Sequence, residues 1–213
     1  LVLALIGTQS RGAALGMGAL VVYFWMASQR KMLGLFVVLL LGIVIVAYAP
    51  DVFFERMGTI ANYQTEGSAM GRIEAWKAGL RMVADHPILG VGAGHYPVAF
   101  GTTYRPPGLV GTPWLTAHSM YFLVLGELGL PGIFLVLALV IGNIRANGRV
   151  RRLLQSRASL ESIAGADEAV RLLRLLTGSM IGFAVAAAFL SVAYYPHLFV
   201  LTALQVAARS VAL

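Results

Sequence analysis

From Met32 to Ala49 the chain runs for 18 residues without one charged side chain, and a run so long and so apolar has few stable solutions. In a bilayer, whose hydrocarbon core is about 30 Å thick, about 20 residues of α-helix cross from face to face with every backbone polar group satisfied internally. The pattern recurs from Gly12 to Ala27, from Leu115 to Ile144 and from Leu172 to Leu213. The last stretch is long enough for two passes, and Tyr194-Tyr195-Pro196-His197 breaks it where an interfacial turn with aromatic anchors fits. Composition agrees: 59% of residues are hydrophobic and 12% charged, too few charges for a water-facing surface. The expected fold class is an all-α, polytopic membrane helical bundle with a large extramembrane loop. The opening Leu1-Val2-Leu3-Ala4-Leu5-Ile6 lacks a basic lead-in and a small-residue cleavage site, so it reads as the tail of an earlier transmembrane helix of a longer chain. Residues 1–213 are then one membrane domain.

The net charge of +7 informs through its placement. Lys and Arg are retained on the cytoplasmic side of short loops. Ser28-Gln29-Arg30-Lys31 is basic, and so is the segment 145–171, with Arg145, Arg149, Arg151, Arg152, Arg157 and Arg171, followed by Arg174, against Glu161, Asp167 and Glu168. Both are expected in the cytoplasm. The loop 50–114 balances Arg56, Arg72, Lys77, Arg81 and Arg105 against Asp51, Glu55, Glu66, Glu74 and Asp85, and counting crossings puts it outside together with Arg11 and the turn near Pro196. Basic loops pressed against a membrane meet anionic lipid, which argues against nucleic acid as a partner. With no cysteine in the chain, disulfides, thiolate catalysis and Cys-based zinc sites are excluded.

At roughly 65 residues, the outer loop is too long for a structureless connection. After Ser68, a plausible N-cap, a helical pattern places Ile73, Trp76, Leu80 and Val83 on one face, which predicts an amphipathic helix along the membrane surface, ended by Pro87. Gly90, Gly92 and Gly94, then Pro97, Pro106, Pro107 and Pro113, suit a lid or crevice wall. The glycine spacing, with no strand before it or helix after it, does not make a dinucleotide fingerprint.

Three residues on the outer side carry candidate chemistry. Arg11 precedes Gly12-Ala13-Ala14-Leu15-Gly16, a small-residue face that lets another helix approach closely. It reads either as an arginine snorkelling to the interface or as a planar fork of donors for phosphate oxygens. Arg72 reads either as a solvated or acid-paired helix residue or as a second phosphate ligand. His118, at the outer end of an apolar stretch, is costly there unless used, and its reference pKa suits it to accept a proton from a hydroxyl. Tyr121 follows one turn on. Glu127 sits deeper, ahead of Gly129-Leu130-Pro131-Gly132, where the helix is expected to kink; it reads as a supporting residue or a structural one. His86, His95 and His197 read as helix-end, loop and interface residues. The four histidines lack ligand-like spacing, so no metal is expected.

In order along the chain, Thr8-Gln9-Ser10-Arg11-Gly12-Ala13, Gly71-Arg72-Ile73-Glu74-Ala75-Trp76, His86-Pro87-Ile88-Leu89-Gly90-Val91-Gly92 and Ala117-His118-Ser119-Met120-Tyr121, leading to Gly126-Glu127-Leu128-Gly129, resemble the signature of the bacterial O-antigen ligase and polymerase superfamily. The resemblance spans nearly the whole chain. Phe54-Glu55-Arg56-Met57-Gly58-Thr59-Ile60, Ser68-Ala69-Met70-Gly71-Arg72 and Ser191-Val192-Ala193-Tyr194 are similar to the O-glycosylation ligase associated with the exosortase A system.

The resemblance implies a multi-pass glycosyltransferase of the GT-C type in the bacterial inner membrane, working on the periplasmic side without metal or other cofactor. Its donor would be a glycan on a polyprenyl diphosphate, and its acceptor a hydroxyl of protein, lipid or glycan. By motif, Arg11 and Arg72 would hold the diphosphate and His118 would activate the acceptor, with inversion at the anomeric carbon. A polymerase of the same superfamily is the alternative. A transporter or flippase is disfavoured, because such proteins place ionisable groups at the bilayer midplane and these stretches carry little internal charge beyond Glu127.

Overall fold

The structure, a computed structural model, describes residues 11–28, 30–48, 67–108, 114–158 and 165–212. The opening stretch Leu1–Ile6, the loop charges Asp51, Glu55, Arg56 and Glu66, and Glu161 lie outside the described residues, as do the side chains of Arg11, Ser68 and Arg157. The described part is all-α: α1 (Arg11–Ala27), α2 (Lys31–Tyr48), α3 (Gly67–Asp85), a short α4 (Tyr96–Ala99) that widens into a π-turn over Phe100–Tyr104, α5 (Met120–Ala158), α6 (Ala166–Ala187) and α7 (His197–Ala212). Lys31–Tyr48, Met120–Ser156 and Ala166–Ala187 are long and apolar enough to cross a membrane, and Gly12–Ala27 and His197–Ala212 are shorter apolar helices. The chain is a multi-pass membrane protein.

Small residues set the helix crossings. A Cβ on Gly16 would meet the Ala186 Cβ at 2.9 Å and the Gly182 carbonyl oxygen at 3.0 Å, so α1 and α6 touch almost backbone to backbone. The two run antiparallel. Gly12 faces Phe189 at one end, and at the other Arg174 donates to the Ala27 carbonyl at 3.4 Å, a cation at a helix C-terminus. The α1 surface expected from its glycines is therefore the one used.

α5 is 39 residues long, about 58 Å at 1.5 Å per residue, and it does not run unbroken. Gly129 adopts φ 66 and ψ −160, and Pro131 has no N–H to give the Glu127 carbonyl. The expected kink is present, and it releases two carbonyls that a low-dielectric interior cannot leave bare. The segment 86–92 supplies the missing partners. Val91 N–H donates to Gly126 at 2.9 Å, Gly92 N–H to Glu127 at 3.0 Å, and Leu130 N–H returns to the Pro87 carbonyl at 2.8 Å. Gly90 makes this approach possible: its φ is +62, and a Cβ there would lie 2.4 Å from the Glu127 carbonyl carbon. What reads from sequence as a lid is, over these residues, a strap spliced into the helix break.

The strap anchors α3 lengthwise on the first third of α5. Gly79 sits against the Phe122 carbonyl, Met82 against Gly126, and Pro87 against Gly129. The face it buries is Ala75, Ala78, Gly79 and Met82, whereas Leu80 is 51% exposed. The larger apolar residues mark amphipathicity correctly, but close packing selects the small ones. Proline ends the helix as expected, while its start at Gly67 puts Ser68 inside the first turn instead of at the cap.

The basic segment 145–171 is helical through residue 158 as a continuation of α5, because Val150 and Leu154 pack on Val170 and Leu173 of α6. Asn147 is fully buried at this level, donating to Thr177 Oγ1 at 3.1 Å and Gln205 Oε1 at 2.8 Å. Arg209, a charge that the sequence reading did not weigh, donates to Asn147 Oδ1 at 2.7 Å and Asn143 Oδ1 at 2.9 Å from the last turn of α7. The turn expected near Pro196 lies between α6 and α7.

Gly90→Ala is expected to lower stability by clearly more than the 1–2 kcal/mol of a left-handed L-residue, because its Cβ meets backbone. Gly94→Ala, with φ +75 but open space around it, should cost only about that conformational term. Thermal unfolding midpoints in detergent check the contrast.

Candidate active site at one end of the bundle

Helix α3 brings Arg72 to the start of α5. One turn after Arg72, the Trp76 indole N–H donates to the Ala117 carbonyl at 2.8 Å, and its ring stacks on Phe122 with centroids 5.1 Å apart and planes at 9°. His118 follows in the chain with φ 48, and among the described non-glycine residues no other has positive φ. A non-glycine residue held there is strained and persists only where its surroundings determine it. The helix proper begins at Met120, after the Ser119 carbonyl has accepted from the Leu123 N–H at 3.0 Å. His118 therefore stands just off the helix end, half-buried, and within electrostatic reach of Arg72. Burial first, and the Arg72 guanidinium second, hold its imidazole below the ordinary histidine pKa. Both causes favour the neutral form of the ring. Glu74, the nearest acid to Arg72 on α3, pairs with Lys77 at 2.7 Å.

Arg11 is the first residue of α1. Its backbone lies at this same end, because the neighbouring Gly12 packs on Phe189 while Thr116 bonds Ser191 between hydroxyls 3.1 Å apart. Its side chain is outside the described residues. Arg72 and His118 thus come together, and α1 begins at their level.

The two accompanying residues turn inward. Tyr121 donates its hydroxyl to the Ala184 carbonyl at 2.8 Å, which is free because the Ala188 N–H has tightened onto Val185 and Ala186 at the end of α6. Since His118 is not helical, Tyr121 does not sit one turn from it in the simple way the spacing suggests. Glu127 is 1% exposed. Its Oε1 accepts from the Tyr96 N–H at 2.9 Å, and its Oε2 from the Tyr194 hydroxyl. Burial, then the hydrogen bond to Glu127, push the Tyr194 phenol far above its usual value, so it stays a donor. One carboxylate joins the broken helix, the start of α4 and the α6–α7 turn. Among the described residues no three His, Asp or Glu side chains gather as a metal site requires.

Sequence reasoning missed Trp76, Tyr96 and Tyr194 as parts of this site. The four-residue spacing of Arg72 and Trp76 on one helix was the available signal. Nothing in sequence reports that an indole reaches a backbone carbonyl 41 positions away.

A sequence model described as O-Antigen ligase matches residues 1–137, which take in Arg11, Arg72, His118, Tyr121 and Glu127. No curated protein and no solved structure matches the chain. Helices α6 and α7 lie beyond the matched span, so the Tyr194–Glu127 contact ties the two parts.

That contact is testable. Tyr194→Phe should cost about 1–3 kcal/mol, the penalty for a buried acceptor losing its donor, and Glu127→Gln a similar amount. In the double variant the losses should fall well short of additive, as measured by unfolding in lipid nanodiscs. Simple additivity would mean that the two side chains do not act as a pair.

Proposed function

This chain belongs to the O-antigen ligase family, and we propose that it is a membrane glycosyltransferase moving a glycan from a polyprenyl diphosphate to an acceptor hydroxyl at the outer face of the bacterial inner membrane. The reading is carried by one observation: a guanidinium and a neutral, strained imidazole share one end of the bundle. The opposite end bears Arg151, Arg152 and Arg174, and the retention of such clusters in the cytoplasm supports the outward placement of the site.

In this reading Arg72, with Arg11, binds the diphosphate through charge-assisted hydrogen bonds. The His118 imidazole takes the acceptor proton as the acceptor oxygen attacks the anomeric carbon. The carbon–oxygen bond to the phosphate breaks, and the electron pair leaves with the polyprenyl diphosphate, whose developing charge the guanidinium groups stabilise. Attack from the face opposite the leaving group inverts the anomeric centre. The resemblance of three separate segments to the exosortase-associated ligase favours a protein Ser or Thr hydroxyl as acceptor. Mass spectrometry of secreted proteins tests that choice, and glycan ladders formed without any protein acceptor would favour the polymerase reading.

His118→Ala should cut transfer by about 10²–10⁴-fold with donor binding retained. Arg72→Ala or Arg11→Ala should weaken donor binding roughly ten- to a hundredfold. Equal loss of binding in all three variants would contradict this division of roles.

The pH profile gives an independent check. The base form is neutral imidazole, so kcat/KM should fall on the acid side, as pH drops through a His118 pKa that lies below the ordinary 6.5. Arg72→Ala removes one of the two depressing causes and should move that acid limb to higher pH, whatever its effect on the plateau.

A further inference from the structure

Nothing in the proposed chemistry uses an indole, yet Trp76 touches both sides of His118. Its N–H binds the Ala117 carbonyl at 2.8 Å, and its ring covers Phe122 in the first turn of α5. The Ala117 carbonyl belongs to the peptide plane whose N–H is that of His118. With the chain after His118 held by the helix start at Met120 and the Ser119 carbonyl, fixing that plane constrains the rotation about the His118 N–Cα bond, the rotation found at φ 48. Left-handed strain in an L-residue and a single hydrogen bond are of the same order, so loss of this bond shifts the balance against the strained conformation. Ala117 is fully buried, and water is a poor substitute for the indole.

The geometry points to Trp76 as the positioning residue of the site: its indole N–H holds the peptide ahead of His118 so that the imidazole faces the Arg72 guanidinium, one turn earlier on the same helix. Trp76 thereby couples the spacing of the two groups to the docking of α3 on α5. The segment after α6 brings the Ser191 hydroxyl to this level, bonded to the Thr116 hydroxyl ahead of α5, and both are uncharged; α1 begins here with Arg11, whose side chain lies outside the described residues. Arg72 is the charge that the described elements direct at the imidazole. The inference rests on the reading of His118 as the proton acceptor, so its test needs a readout that does not depend on transfer.

The experiment uses the full-length protein in lipid nanodiscs, with ¹⁵N-labelled histidine and the His118 resonance assigned by a His118→Gln difference spectrum. Two variants remove the donor: Trp76→Phe, and replacement of Trp76 by benzothienylalanine, which keeps the bicyclic shape and the stack but has sulfur in place of N–H. In both, the His118 titration should move up toward the ordinary histidine value, because relaxation from φ 48 exposes the ring and takes it from Arg72. The kcat for transfer should fall roughly tenfold or more, with KM for the lipid-linked donor within about twofold. An unmoved titration in the folded isostere variant overturns the positioning role, whether or not kcat falls, since a purely structural loss would leave the imidazole environment intact. A shifted titration with unchanged kcat leaves the positioning role standing and removes His118 from the chemistry.

Discussion

Two carbonyls released by a broken helix organise this molecule. Pro131 and the turn at Gly129 free the Gly126 and Glu127 oxygens in the interior of α5, where an unpaired backbone group costs several kcal/mol. The strap 86–92 meets that demand with its own N–H groups, and only a glycine at 90 allows the two backbones to come close enough. Once the strap is spliced in, α3 can lie only along the start of α5. Arg72 then arrives beside His118 as a consequence of backbone satisfaction, with no direct bond between the two required.

Buried polar groups elsewhere secure the same arrangement. Glu127 spends one oxygen on the Tyr96 N–H and the other on the Tyr194 hydroxyl, so the segment after α6 is held to the broken helix. Tyr121 closes the end of α6, and the α1–α6 crossing brings the start of α1 to the same level. At the other end, Asn143, Asn147, Thr177, Gln205 and Arg209 form a separate polar network joining α5, α6 and α7. The molecule thus has one end where the strained, half-buried His118 lies within electrostatic reach of Arg72 and a basic end with an ordered polar interior. The proposed lipid-linked donor would approach the first of these ends.

Much of this was legible in the sequence because it follows from period and composition. The uncharged run 32–49, the glycine-spaced face of α1, the stop at Pro87, the kink at Gly129-Leu130-Pro131 and the turn near Pro196 each have a local cause, and each is present. The choice of Arg11, Arg72 and His118 came from charge placement and motif order, and two of the three side chains are seen near one another. What stayed hidden depends on tertiary approach. Ala75, Ala78 and Gly79 carry no strong hydrophobic signal, yet they make the α3 interface. Trp76 to Ala117, Tyr121 to Ala184 and Tyr194 to Glu127 are bonds across 41, 63 and 67 positions, for which no spacing rule exists. The glycines of the strap read as part of a lid or crevice wall, whereas the positive φ of Gly90 serves a fixed, close contact.

The proposal that chemistry occurs where Arg72 and His118 meet, on the outer face, is tested most directly by chemical access to that point. The 213 residues contain no cysteine, so a single His118→Cys substitution gives these helices one reactive thiol. A membrane-impermeant maleimide should modify it from the extracytoplasmic side, and a polyprenyl diphosphate should slow that modification by occupying the space beside Arg72. Modification from the cytoplasmic side, or a rate indifferent to the diphosphate, would contradict the account.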